Sequence, residues 1–382
     1  MKSVTYRSIL LSVLMITSSL AGCLGDEAND ADEIDVVDPI PVFGSVMVST
    51  YHVGELVKAV AGDNVVMDYM SQDNIPVHDY EPSAADLIRL QEADVFFYHG
   101  LNLEPWVDAT LASLGSDAPP SFMTHTMPSG EITLDYESLL VADLCELMND
   151  GPFESTTLGM LSDDHDDHDD HDDLDDHDDD HSDDEDDHDD HGDEIEADGD
   201  EEAFDYDPHS WLDPLSFKEQ ANLVMMKLTL TFPDGADVFA DNYEAYSSQL
   251  TQLDDSFEAA FGEQGTCVSG GHDKTIVANH NAYSYISVRY DIDIMTVHGL
   301  DPEGEPSPAE VAEVVEHIKD EGITVLFVEE YTDQTAVQSI VEETGVEVQI
   351  LYTMEMRPSD SEDDYMSMMN KNLGNIVSGI GC

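Results

Sequence analysis

From residue 43 to its end, the chain alternates short apolar runs with stretches in which apolar residues recur every three or four positions. The short runs predict strands at 43–50, 65–70, 93–99, 275–279, 294–297, 324–328 and 347–351. The helical spacing predicts helices at 51–61, 83–93, from 216 onward, and at 236–261, 282–289, 308–321, 335–343 and 364–380. Because strands alternate with helices in both halves, the pattern predicts parallel sheets and an α/β fold.

The longest predicted helix separates the two halves. Residues 236–261 contain no proline or glycine, and Phe239, Tyr246 and Leu253 fall on one helical face. A helix of this length would be about 39 Å long, which is enough to run along two stacked domains. The expected organisation is therefore an N-terminal α/β lobe at 42–214, a helical segment with the linking helix at 215–265, and a C-terminal α/β lobe at 266–382.

The chain begins with the pattern of an export signal. Lys2 and Arg7 precede an apolar stretch at 9–16 that is too short to span a bilayer, and Leu20-Ala21-Gly22-Cys23 resembles the lipobox of prokaryotic lipoproteins. This resemblance implies a signal peptide at 1–23 and a lipid on Cys23. The acidic residues 24–41 lack periodicity and are expected to tether an extracytoplasmic domain to the outer face of the cytoplasmic membrane.

An insertion at 162–202 interrupts the first half with Asp-rich sequence and seven histidines, the last of them at position 191. Such a segment buries too little apolar surface to fold, so we expect it to be disordered. Neutral imidazoles bind borderline-soft metal ions, and the surrounding carboxylates concentrate cations. The insertion therefore indicates metal handling, and an inert acidic linker is the alternative.

The charge and the cysteine content indicate the environment in which the protein works. The chain has 11 Lys and Arg against 87 Asp and Glu, a formal net charge of −76, which excludes nucleic acid as a partner and suits a high-salt habitat. After Cys23, the remaining cysteines are Cys145, Cys267 and Cys382. In an oxidising compartment we expect one disulfide and one remaining thiol, and the spacing does not select the pair.

Three histidines stand where a predicted element ends. His78 lies in a turn before a helix, His209 lies in a turn bounded by prolines, and His280 directly follows a strand. Ligands of α/β sheets bind beyond the carboxyl ends of the strands, so these imidazoles could converge on one site, and nitrogen ligands favour zinc. Taken singly, a turn histidine is more often a capping or hydrogen-bonding residue. We interpret the following histidines in that way: His52, His99, His125, His272, His298 and His317.

Several segments resemble, in order, the ZnuA/TroA-type solute-binding proteins of zinc and manganese ABC importers. They are VHDYEPS at 77–83, LQEAD at 90–94, GLNLEPW at 100–106, DPHSWLDP at 207–214, NHNAYSY at 279–285, PSP at 306–308 and FVE at 327–329. The resemblance covers roughly residues 43–380. It implies two Rossmann-like lobes with parallel sheets, joined by a long rigid α-helix, with metal bound in the cleft between the lobes.

The resemblance also implies a ligand set. His78, His209 and His280 fall on the family's ligand positions, and a histidine at the third position goes with zinc more often than with manganese. The family's fourth ligand is commonly an Asp after the last strand, and this chain has none there. Tyr352, Glu355, Glu329 or a water molecule could complete the shell.

These features predict an extracytoplasmic receptor that captures Zn²⁺ and delivers it to an ABC permease as a monomer without enzymatic activity. A manganese receptor of the same family and a surface adhesin are the alternatives. An enzyme is the rival class because three histidines and an open position also describe catalytic zinc. Neither a His-Glu-x-x-His helix nor a Gly-x-Ser-x-Gly turn occurs in the sequence to support hydrolysis.

Overall fold

The computed structural model describes residues 40–71, 74–77, 80–134, 206–297, 308–332 and 337–382. The predictions for the signal peptide, Cys23, the tether, His78, Cys145, the Asp/His insertion and His298 lie outside these residues. Within the described part of the chain, no helix is both long enough and apolar enough to span a bilayer.

The first lobe is built on a four-stranded parallel sheet in the order β2-β1-β3-β4. Its strands are β1 (Ser45–Val48), β2 (Val66–Tyr69), β3 (Val95–Tyr98) and β4 (Ser121–Met123). The helices between them are α1 (Tyr51–Ala61), α2 (Ala84–Gln91) and α3 (Trp106–Leu114). β1 pairs with both β2 and β3, with Val46 opposite Met67 on one side and Val95 on the other.

The second lobe repeats this strand order as β6-β5-β7-β8, again with all strands parallel. The strands are β5 (Thr275–Ala278), β6 (Asp293–Thr296), β7 (Val325–Val328) and β8 (Glu347–Ile350). Two long helices, α4 (Pro214–Thr231) and α5 (Ala236–Phe261), precede it in the chain, followed by the short α6 (Thr266–Gly270). Its remaining helices are α7 (Ser284–Tyr290), α8 (Pro308–Glu321), α9 (Gln338–Thr344) and α10 (Tyr365–Ile380).

Helix α5 joins the two lobes. It packs against α1 and α4 at one end and against α6, α7 and α10 towards the other. Its buried face includes Phe239, Tyr246 and Phe257, which belong to one hydrophobic cluster that also contains Val46 of β1 and Ile276 of β5. Because this one cluster contains residues of both sheets, α5 connects the lobes as a helix packed against the core and not as an exposed linker.

The sequence pattern located these elements well and missed three of them. Helix α5 spans the predicted residues 236–261, and the seven predicted strands all occur, most of them shortened by a residue or two. Helix α3, the three-residue strand β4 and the five-residue helix α6 were not predicted. The last two are too short to show a period, and β4 carries little apolar sequence beyond Phe122 and Met123.

A disulfide closes the C-terminus onto α6. It joins Cys267 to Cys382, which are 115 residues apart with Cα atoms separated by 5.0 Å. This pairing was left open by the sequence, because nothing in the spacing brings the last residue of the chain to a helix before β5.

Candidate metal centre

His209 is held by the segment that enters α4. Asp213 caps α4 by accepting hydrogen bonds from the backbone N–H groups of Leu215 and Ser216, both at 3.1 Å, and a turn of 3₁₀ helix at Ser210–Leu212 precedes it. On the other side of His209, the Asp207 Oδ1 atom accepts a hydrogen bond from the His209 backbone N–H and another from the ring Nδ1, each at 2.8 Å. Both Asp207 and His209 are buried, so the imidazole has one orientation.

His280 is positioned by the second sheet. It lies two residues after the end of β5, and Glu329 lies directly after β7, at the point where the strand order of this sheet reverses direction. In parallel α/β sheets this switch point is the usual ligand crevice. Glu329 Oε1 contacts His280 Nδ1, which leaves Nε2 of His280 buried with no hydrogen-bond partner among the described residues.

The imidazoles of His209 and His280 lie close together, and the carboxylate of Glu355 lies beside them. The ring centroids of His209 and His280 are 5.1 Å apart and nearly perpendicular. Glu355 lies 3.4 Å from Nε2 of His209, measured to Oε1. One ligand atom from each of these three residues falls within 4.8 Å of the other two, the geometry of a group that could hold one metal ion.

Glu355 reaches this position because its loop is fixed to the first lobe. The backbone N–H groups of Tyr51 and His52, at the start of α1, donate to the carbonyls of Glu355 and Met354 at 3.2 Å and 3.1 Å. The indole Nε1 of Trp211 donates to the carbonyl of Thr353 at 2.6 Å. Met354 has φ +62°, a left-handed conformation that is uncommon for this residue type and is maintained here by these contacts.

The electrostatics of the cluster suit a cation. Burial alone would lower the pKa of His209, but the Asp207 and Glu355 carboxylates outweigh it and raise this pKa to about 10. Asp207, Glu329 and Glu355 bring three carboxylates around two imidazoles, so a positive charge, whether a proton or a metal ion, is strongly favoured between them.

The donor set fits a zinc-sized ion. Each histidine has its Nδ1 held by a carboxylate, Asp207 or Glu329; Nε2 of His209 lies 3.4 Å from Glu355, and Nε2 of His280 is buried without a hydrogen-bond partner among the described residues. This carboxylate–histidine pairing is how metal-binding histidines are usually oriented. Glu329 is thus occupied in holding His280, while Tyr352 has its backbone N–H bonded to Asn372 and its ring under the ammonium group of Lys371.

Several residues of the site were not assigned a role from sequence. In the sequence Asp207 is only a member of the DPHSWLDP motif, and its pairing with the His209 ring becomes visible in the structure. Trp211 stacks on the ring of His52 with centroids 3.9 Å apart. His52 in turn hydrogen-bonds to His99 at 3.2 Å between Nε2 and Nδ1, and His125 hydrogen-bonds to Ser210 at 2.8 Å. These three histidines therefore make hydrogen bonds within the fold, as interpreted from sequence.

Comparison with known proteins identifies the family of the chain. Residues 46–379 match the ZnuA family model, described as "Zinc-uptake complex component A periplasmic". The zinc-binding lipoprotein AdcA of Streptococcus pneumoniae is 25% identical over 338 residues, covering 86% of this chain and 54% of AdcA. The manganese-binding lipoprotein MntA of Halalkalibacterium halodurans is 22% identical over 385 residues, covering 100% of this chain and 99% of MntA.

The crystal structure of the Zn(II)-bound ZnuA-like domain of Streptococcus pneumoniae AdcA superposes with a TM-score of 0.62 at 22% identity, covering 89% of this chain and 99% of that domain. It shares the two-lobed α/β fold with the bridging helix. The chain spans about half the length of the curated AdcA that it matches. With the family model covering nearly the whole described fold, the chain belongs to the ZnuA family of solute-binding proteins.

Proposed function

We propose that the protein is an extracytoplasmic zinc receptor that binds Zn²⁺ between its lobes through His209, His280 and Glu355, with His78 as a further ligand. The observation that carries the proposal is the convergence of two buried imidazoles and one carboxylate within 4.8 Å, with both Nδ1 atoms held by carboxylates. Two or three nitrogens and one oxygen form an acceptable zinc shell, and imidazole suits zinc better than manganese.

Delivery to an ABC permease is supported by the family description, which names a component of a zinc-uptake complex. A receptor must release its ligand, so its ligands belong to loops at the interface of two lobes rather than to a closed cage. Zinc is therefore the cargo of the protein and not a resident cofactor. We further propose that a lipid on Cys23 anchors the protein outside the membrane, as the word lipoprotein in the names of AdcA and MntA suggests.

Manganese is the second candidate cargo. A relative that matches this chain over its full length is named as a manganese-binding lipoprotein. Manganese favours oxygen ligands, and the site offers Glu355 together with the carboxylates that hold the histidines. The preference of the site for zinc or manganese depends on how many imidazoles bind the ion. Titration with each ion measures this preference directly.

The test is a competitive titration of the mature protein with Zn²⁺ and with Mn²⁺, in parallel with a form that lacks residues 162–202. His209→Ala, His280→Ala and His78→Ala are each expected to abolish one tight zinc site that survives deletion of the insertion. His272→Ala is the matched control, because His272 is exposed and does not belong to the cluster of His209, His280 and Glu355. Tight binding that vanishes with the insertion, or that persists in all three variants, would refute the proposal.

A further inference from the structure

The segment before His78 and the loop after β8 are joined directly across the lobes. Asn74 lies four residues before His78 in the sequence, and Arg357 lies two residues after Glu355. The backbone N–H of Arg357 donates to Asn74 Oδ1 at 2.9 Å, and Asn74 Nδ2 donates to the carbonyl of Arg357 at 3.2 Å. One carboxamide thus satisfies both backbone polar groups of one residue on the opposite lobe.

The Arg357 side chain extends the same contact. Its Nη2 donates to the carbonyl of Ser71 at 3.1 Å, and its guanidinium lies over the ring of Tyr69 at 4.5 Å from the centroid. From the second lobe, the Tyr331 hydroxyl donates to the carbonyl of Arg357 at 2.6 Å. Arg357 is therefore held by its own lobe while it contacts Tyr69, Ser71 and Asn74 of the other.

This contact differs from the buried core that the two lobes share. One hydrophobic cluster contains residues of both lobes, whereas Asn74 is exposed at the rim of the cleft. Hydrogen bonds at such a rim form only when the two loops approach each other, and they can be broken without opening the core. Asn74 and Arg357 line one cleft together with Tyr51, Tyr69 and Glu355.

We propose that Asn74 and Arg357 form a latch that sets how long the bound metal is retained. The proposal rests on the zinc-receptor function proposed above. The latch ties the loop bearing Glu355 to Asn74 of the first lobe, so it holds this ligand in place without touching the metal. Loss of the two hydrogen bonds at this rim is expected to speed metal release on the order of tenfold, because each bond contributes modestly and both are lost together.

The experiment is stopped-flow release of Zn²⁺ from the full mature chain into excess chelator. The kinetic phase that is absent in His209→Ala is assigned to release from the inter-lobe site. Asn74→Ala is expected to accelerate that phase about tenfold, while the melting temperature of the metal-free protein changes by less than about 2 °C. Arg357→Lys keeps the positive charge and the two backbone hydrogen bonds with Asn74, but it loses the guanidinium group. A smaller acceleration of zinc release is therefore expected.

Asn375→Ala is the matched control. Its carboxamide donates to the carbonyl of Ile350 at 2.8 Å, a contact between α10 and β8 within the second lobe. This variant is expected to leave the release rate unchanged. A release rate in Asn74→Ala within twofold of wild type, or an equal acceleration in Asn375→Ala, would overturn the latch while the receptor function stands. If His209→Ala leaves every phase unchanged, the receptor function fails, and the latch fails with it.

Discussion

Replacing Asp207 by Asn tests whether the carboxylate behind His209 prepares that residue for metal. The change removes one negative charge while keeping the size of the side chain and an oxygen that can accept from Nδ1. Loss of a carboxylate that orients a metal-binding histidine typically weakens metal binding by about 10- to 100-fold, or about 1.4 to 2.7 kcal/mol. We expect an effect of that size, because the bond is 2.8 Å long and fully buried.

The pH dependence makes the test sharper. Burial lowers the pKa of His209, but Asp207 and Glu355 raise it to about 10, so the imidazole of the metal-free protein is protonated at neutral pH. Zinc must displace that proton, and binding should release about one proton from His209 at pH 7. Without Asp207 the pKa of His209 falls, so protons compete with zinc less strongly in D207N than in wild type. As pH rises from 6.5 to about 9, wild type therefore gains more zinc affinity than D207N, and the difference in affinity between the two should widen.

The assay is competition for Zn²⁺ with a chelator of known affinity across that pH range, with proton release measured by calorimetry in buffers of different ionisation enthalpy. Asp213→Asn is the control, since Asp213 is equally buried in the same segment but caps α4 and pairs with Arg289 at 2.6 Å. It should lower stability much more than zinc affinity. The reasoning is refuted if D207N binds zinc as tightly as wild type at pH 9, or if the two variants behave alike.

Three further outcomes are expected. Cys382→Ser opens a loop of 115 residues and should lower the free energy of unfolding by about 4.7 kcal/mol in denaturant titration. The variant should be as stable as reduced wild type, and an unchanged free energy of unfolding would contradict the pairing. Burial raises the pKa of Glu104 from its ordinary value of 4.5 to about 7 against the opposing hydrogen bond from Ser49, so its contribution to stability is complete below about pH 4.5 and is lost as pH rises through 7. Relative to Glu104→Gln, wild type should therefore lose about 3 kcal/mol over that range, and parallel stability curves for the two proteins would exclude it. Trp211→Phe keeps a ring over His52 but removes the hydrogen bond to Thr353, so it should weaken zinc binding several-fold through the Glu355 loop; an unchanged affinity would show that the loop is fixed without it.

The architecture could be predicted because it depends on local periodicity. The central strands of both sheets, β1, β3, β5 and β7, carry buried apolar runs, and α5 has an apolar face over its whole length. His209 and His280 could be proposed as ligands because both stand at element ends, where loops present side chains to a cleft. The structure brings these two together, and the role of His78 stays a prediction.

What the sequence left open depends on contacts between distant segments. Choosing among Glu355, Glu329 and Tyr352 required knowing that the loop after β8 is bound by the start of α1, about 300 residues earlier in the chain. Pairing Cys267 with Cys382 required knowing where α10 ends relative to α6. Neither contact leaves a period or a spacing in the sequence, because each arises from packing of the lobes against α5.

The two sheets have the same strand order, yet their switch points have different surroundings. In the second sheet, the residues after β5 and β7 are His280 and Glu329, which point a buried imidazole nitrogen at the cleft. At the equivalent point of the first sheet, after β1 and β3, the Ser49 hydroxyl and the His99 backbone N–H both donate to Glu104, at 2.6 Å and 2.7 Å.

The first switch point is thus filled by its own polar network, and His99 continues it to His52 beneath Trp211. Because this network uses the polar groups that follow β1 and β3, those two strand ends present no ligand to the metal cluster. The first lobe contributes instead from loops, namely the Asp207–His209 turn and, as proposed, the segment at His78. This division explains why, within the described residues, a repeated fold offers one candidate metal cluster and not two, and why that cluster depends on the loops that cross between the lobes.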